Sequence, residues 1–226
     1  MDIVIYYGFA LIGTIIVLFA QININNNYKK YKKVKLNNNL TGQEIARKIL
    51  DANGLINIHI VSTQGELSDH YDPKRKVVRL SNDIFNGETI AAASVAAHEC
   101  GHAIQDKEGY SFMRLRSFLV PVVNLVSYLG YFGVIISIFG GILGYLKLSI
   151  VILLATILFQ LVTLPVEFNA SERAKKELIN LGLIDSEELR SCSKMLFSAA
   201  LTYVAGLLSN LLQLLRLVLI LSRHDD

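Results

Sequence analysis

Twenty consecutive uncharged residues, 3–22 (IVIYYGFALIGTIIVLFAQI), constrain this chain more than any other feature. A helix of that length, rising about 1.5 Å per residue, crosses a hydrocarbon core of roughly 30 Å. The run lacks a positively charged start, and Ala20-Gln21-Ile22 is a poor small-residue cleavage site, so it reads as a retained helix rather than a signal peptide. Further uncharged runs cover 117–146, 148–166 and 195–215. Only Lys147 separates the second from the third, and Gly140, Gly141 and Gly144 supply a turn, which predicts a helical hairpin in the membrane. In the fourth run Asn210, Gln213 and Arg216 draw a polar stripe at spacing three. Such a stripe suits a helix packed in a bundle, with an interfacial helix as the alternative. The chain is 52% hydrophobic and 18% charged, against about a quarter charged for a soluble domain. That balance excludes disorder and collagen-like or disulfide-built scaffolds, and about four membrane helices is the simplest way to place the excess.

The remaining polar residues fall into two stretches, 23–116 and 167–194. They hold Lys29, Lys30, Lys32, Lys33, Lys35, Arg114, Arg116, Arg173, Lys175, Lys176, Arg190 and Lys194, whereas the opposite side shows only Lys147 and Arg223. The positive-inside rule then puts both stretches in the cytoplasm and both termini outside. The net charge of +3 is explained by topology, and nucleic acid is not an expected partner because no aromatic-interleaved basic face occurs. Cys100 and Cys192 are too few, and on the reducing side, to suggest disulfides.

The organisation expected from the sequence is a first membrane helix (1–22), a basic Asn-rich linker (23–40) lying against anionic headgroups, and a polar domain carrying an H-E-x-x-H helix (41–116). A membrane hairpin (117–166), a helix (167–194) and a last membrane or interfacial helix (195–222) follow. Within 41–116, Thr41 and Glu44 form a capping box, Ile45, Ile49 and Leu50 an apolar stripe, and Gly54 closes the helix. INIHIV (56–61) alternates as a strand, DHYDP (69–73) is rich in turn formers, and KVVRL (76–80) reads as a second strand. The fold class is thus α+β, mainly helical, with a short sheet in a cytoplasmic domain.

Residues 88–105 (ETIAAASVAAHECGHAIQ) predict a helix, and it carries His98-Glu99-Cys100-Gly101-His102. Two histidines at i and i+4 share one helical face and suit a single Zn²⁺, while Glu99 stands beside them, placed to accept a proton from an activated water. The neighbours from Val95 to Ile104 are otherwise uncharged, so these groups demand partners. Two blander readings are histidines merely hydrogen-bonded in a core and a structural zinc that leaves Glu99 without a role. Cys100 lies about 200° around the helix from His98 and is expected to pack rather than ligate. A catalytic zinc needs a third protein ligand. Glu167, where the third apolar run ends, is the candidate, its alternative being a helix-end charge at the membrane interface. Glu172 and Glu177 alternate with Arg173, Lys175 and Lys176 as a solvated face.

DHYDP, KVVRLS, VAAHECGHAIQ, LPVEFNASERA and AALTYVAG, in this order and together with the apolar runs, resemble the bacterial membrane zinc metallopeptidases of the YugP type over nearly the whole chain. The resemblance implies His98, His102 and Glu167 as zinc ligands and Glu99 as catalytic base. The E-x-x-A pattern is more distantly similar to CAAX prenyl proteases and heat-shock membrane proteases, gluzincins that carry E-x-x-A-D. Here Ser171 occupies the aspartate position, and a serine would orient a ligand histidine more weakly. The expected activity is peptide hydrolysis by a membrane-embedded zinc endopeptidase in the bacterial plasma membrane, with one Zn²⁺ per chain and its site on the cytoplasmic side. An inactive metal-binding membrane scaffold is the alternative, and a transporter is weakened because the charged motif lies outside the apolar runs. Peptide or membrane-protein substrates and the bilayer are the expected partners, and homo-oligomerisation stays open. An edge strand near 76–80 is expected to hold an extended substrate. His70, Tyr203 and Arg173 are oxyanion candidates, each with an alternative structural role in a turn, at a membrane interface or in an ion pair.

Overall fold

The computed structural model describes residues 7–140 and 142–222, with the side chains of 127 and 129–145 outside that description. The chain forms two units. One comprises Met1–Gln21, Arg114–Leu164 and Leu201–Asp226, and the other Ile22–Met113 and Pro165–Ala200.

Four helices contribute to the first unit: α1 (Phe9–Tyr31), α5 (Ser111–Gly140), α6 (Ile142–Asn180) and α7 (Ser186–Ser222). Among the described residues three segments are long and apolar enough to cross a membrane: Phe9–Tyr31, Leu146–Asn180 and Ser186–Ser222, with mean hydropathies of 1.6, 2.4 and 2.0. The second apolar run, 117–146, falls largely on side chains outside the description. Leu11, Ile15, Phe19 and Ile22 on α1, and Leu154, Leu158 and Leu161 on α6, are exposed, as lipid-facing residues would be. Part of the polar stripe on α7 is satisfied by a neighbour, since Asn210 Nδ2 donates to Gln160 Oε1 on α6 at 3.0 Å.

Two boundaries differ from the sequence expectation, and Lys147 lies inside α6. Glu167 is carried on the continuation of that same helix, which runs to Asn180. The last helix begins at Ser186, where Asp185 Oδ1 accepts from the backbone N–H groups of Glu187 and Glu188 at 2.8 Å and so caps the first turn.

The second unit holds the main core. The expected linker 23–40 is helical as far as Tyr31, because Ile24, Tyr28 and Tyr31 recur on one face and are all buried. Helix α2 (Gly42–Ala52) starts on the capping box of Thr41 and Glu44 and buries Ile45, Ile49 and Leu50, and Gly54 follows it at φ 67°. Strands β1 (His59–Thr63), β2 (His70–Asp72) and β3 (Val77–Ser81) form one sheet in the order β1-β3-β2. β3 is parallel to β1, with His59 opposite Val77, and antiparallel to β2, with Tyr71 opposite Val78. Two expectations change here. DHYDP contains a strand, too short for alternation to show, stapled by Asp69, whose carboxylate accepts from the Ser81 N–H at 2.6 Å. The segment near 76–80 is the centre of the sheet rather than an edge, which explains the burial of Val77, Val78, Leu80 and Ser81. A short α3 (Asn82–Phe85) leads into α4 (Ile90–Lys107), capped by Thr89, whose hydroxyl accepts from the Ala92 N–H at 3.2 Å. The alanines of α4 are fully buried, so neighbouring elements approach its backbone closely.

Candidate metal centre

Helix α4 and residues Pro165–Ala200 belong to the second unit, and together they bring the motif and Glu167 to one point. His98, His102 and Glu167 each offer a ligand atom, and these atoms all lie within 4.8 Å of one another. His98 Nε2 stands 3.3 Å, and His102 Nε2 3.7 Å, from Glu167 Oε2, and the imidazoles meet edge to face with centroids 4.7 Å apart. Donors about 2.0–2.1 Å from a common tetrahedral ion are separated by about 3.3 Å, so this two-nitrogen, one-oxygen set fits zinc. It leaves a fourth position open, as a catalytic zinc requires.

The other ring nitrogens are also occupied. His98 Nδ1 lies 3.3 Å from Ser171 Oγ, and His102 Nδ1 lies 2.9 Å from Gln105 Oε1. The amide oxygen of Gln105 can only accept, so Nδ1 of His102 carries a proton and Nε2 is the ring atom turned toward Glu167. Gln105 is fully buried, and its amide nitrogen donates to the Val166 carbonyl at 2.8 Å and to Asn169 Oδ1 at 2.9 Å. One glutamine thus ties His102 to the turn of α6 that bears Glu167. Burial disfavours protonated His102, but the hydrogen bond and charge of Glu167 more than offset this and hold its pKa above the ordinary histidine value.

Each remaining residue singled out from the sequence has a definite place. Glu99 is 7% exposed, and its charge acts on His102 and on the buried Asp69. Cys100 is fully buried against α2, its Sγ 3.6 Å from the Ala46 carbonyl, and burial pushes its thiol pKa up. Arg173 binds Glu108 Oε2 at 2.6 Å and Asn169 Oδ1 at 2.7 Å, which commits its guanidinium to ties between α4 and α6. The His70 ring contacts the Ser68 carbonyl at 2.8 Å on exposed β2. Tyr203 belongs to the first unit and is 38% exposed. Glu172 pairs with Lys175, and Glu177 accepts from Asn53 Nδ2 at 2.9 Å. Sequence reasoning missed Gln105 and Asn169. Gln105 follows His98 by seven residues, two helical turns on the same face, so the stripe His98, His102, Gln105 was a usable signal.

Residues 6–222 match the profile of a family described as "Putative neutral zinc metallopeptidase". The chain is 44% identical over 208 residues to the "Putative membrane protease YugP" of Bacillus subtilis (strain 168), covering 92% of each chain. No solved structure matches.

Proposed function

The chain belongs to the neutral zinc metallopeptidase family, and from that premise we propose that it is a membrane-embedded zinc endopeptidase that cuts peptide bonds near the cytoplasmic face of a bacterial plasma membrane. The observation that carries this reading is the convergence of His98 Nε2, His102 Nε2 and Glu167 on one point with both Nδ1 atoms held from behind.

His98, His102 and Glu167 hold the ion. When bound, zinc lowers the pKa of a coordinated water toward 7 and polarises the scissile carbonyl. Glu99 would take a proton from the attacking water and pass it to the leaving amine, a role that suits a glutamate adjacent in sequence to His98. Ser171 and Gln105 keep the two imidazoles in the tautomer that exposes Nε2. The substrate main chain adds to β2, the sheet edge packed beside α4, where Tyr71 Oη donates to Asp106 Oδ2 on α4 at 2.7 Å. An inactive metal-binding scaffold is the competing reading, and it gives Glu99 no task.

The deciding experiment compares purified wild type with Glu99→Gln, with zinc measured in both and hydrolysis of casein or of the chain itself as readout. Equal zinc with activity lost by at least about a hundredfold is expected for removal of the general base. Equal activity would remove Glu99 from the mechanism. Glu167→Ala is expected to lose zinc, and unchanged stoichiometry and affinity would take it out of the ligand set.

A further inference from the structure

We propose that the cleft along the last turns of α1 is a binding site for the phosphate group of an anionic phospholipid. It lies entirely within the second unit, away from the His98, His102 and Glu167 cluster in its lining, and encloses about 620 Å³. Asn25 and Lys29 stand one turn apart on α1, and Lys33 adds to the lining from the turn that follows the helix. Glu66 and Leu67 supply lining from the segment that precedes β2.

Charge decides what fits. Lys32, which also lines the cleft, is committed to Glu66 at 2.8 Å and to Asp83 at 2.5 Å. Lys29 and Lys33 have no carboxylate partner among the described residues, and both are exposed. The cleft therefore carries an excess of cations, and Tyr28 forms part of its wall. An anion with several acceptor oxygens answers this charge.

Leu67 favours a lipid over a free ion. It is held in the left-handed region at φ 56°, uncommon for a leucine, and is 50% exposed in the cleft lining. An apolar side chain beside two cations matches a ligand that carries its phosphate next to glycerol and acyl chains. α1 is itself one of the helices fit to cross a membrane, and basic residues at the end of such a helix sit at headgroup level.

The test uses the full chain in neutral detergent, titrated with phosphatidylglycerol or phosphatidylcholine and read by native mass spectrometry. Lys29→Ala/Lys33→Ala is expected to weaken phosphatidylglycerol retention about tenfold or more, while the charge-matched Lys48→Ala/Lys74→Ala pair, outside the cleft, leaves it unchanged. Lys29→Arg/Lys33→Arg should retain the lipid, phosphatidylcholine should bind weakly to every variant, and zinc content should not change. Leu67→Asp, on the other wall, should also release phosphatidylglycerol without touching α1. Equal losses in the two lysine pairs would reduce the effect to diffuse surface charge and overturn the site, as would equal binding of the two lipids. Displacement of phosphatidylglycerol from the wild type by millimolar inorganic phosphate would overturn the lipid assignment in favour of the free ion.

Discussion

The hydrogen bonds behind the two histidines differ, and so should their value to the metal. Gln105 is fully buried, 2.9 Å from His102 Nδ1, and serves two further acceptors on α6. Ser171 is a smaller, neutral partner 3.3 Å from His98 Nδ1. Gln105→Ala is expected to weaken zinc binding by about 10–100-fold and to lower stability by about 1–3 kcal/mol, since it takes the acceptor away from the buried His102 Nδ1. Ser171→Ala should cost less affinity, while Ser171→Asp, which restores the carboxylate of the E-x-x-A-D pattern, should raise it. Competition with a chromophoric chelator measures all three, and a larger loss for Ser171→Ala than for Gln105→Ala would reverse this ordering. At this scale the sequence was half legible. His98, His102 and Glu99 announce themselves because two histidines at i and i+4 beside a glutamate have little use in an apolar helix except around a metal. Gln105 and Asn169 do not, because a neutral amide is chemically unremarkable until its acceptors, on a segment some sixty residues away, are known.

Secondary-structure elements carry the ligands, so the separation of the helices is itself part of the site. Gly101 lies between the two ligand histidines in sequence, and a Cβ built on it would come within 2.5 Å of the Ala170 carbonyl oxygen. Gly101→Ala must therefore push α4 away from the turn that carries Glu167. Overpacking of this kind costs about 1–3 kcal/mol, and loss of zinc together with a lowered Tm is the expected outcome. A variant that kept full zinc content and wild-type Tm would show that the contact relaxes locally. α2 gives an independent reading through pH. The Thr41 backbone N–H and hydroxyl hold the Glu44 carboxyl below the usual glutamate pKa. Because the folded value is the lower one, the capping contribution is fully present above the unfolded pKa and is lost as pH falls through the depressed value. Glu44→Gln should therefore flatten the acid limb of the stability curve, and an unchanged acid limb would mean the box contributes nothing. The box was legible because capping is local, and so were the apolar stretches. The helix ends were not. α1 runs past its apolar run because Ile24, Tyr28 and Tyr31 find a core, α7 starts early on an aspartate cap, and β2 is too short to alternate.

For the whole molecule, the apolar runs and the charge asymmetry predict a polytopic chain with its zinc ligands on the cytoplasmic side, and this can be tested without knowing a substrate. Both native cysteines are free and fully buried, and burial raises the pKa of the Cys100 thiol, so a thiol reagent should find little background in the folded wild type. Single cysteines at exposed positions 30 and 147 then report the two faces. Lys30 follows the apolar part of α1, within the basic cluster, whereas Lys147 lies on α6. With a membrane-impermeant maleimide applied to intact cells, Lys147→Cys should label and Lys30→Cys should label only after the inner membrane is opened. Labelling of position 30 from outside would invert the topology and place the zinc ligands on the outer face. Labelling of both positions from outside would mean that the hairpin of α5 and α6 does not cross. The sequence alone makes this prediction because membrane insertion responds to runs of about twenty residues and to lysine and arginine placed beside them, both linear properties. The metal centre depends instead on where a helix beginning at Ile142 meets one beginning at Ile90, which only the folded chain displays.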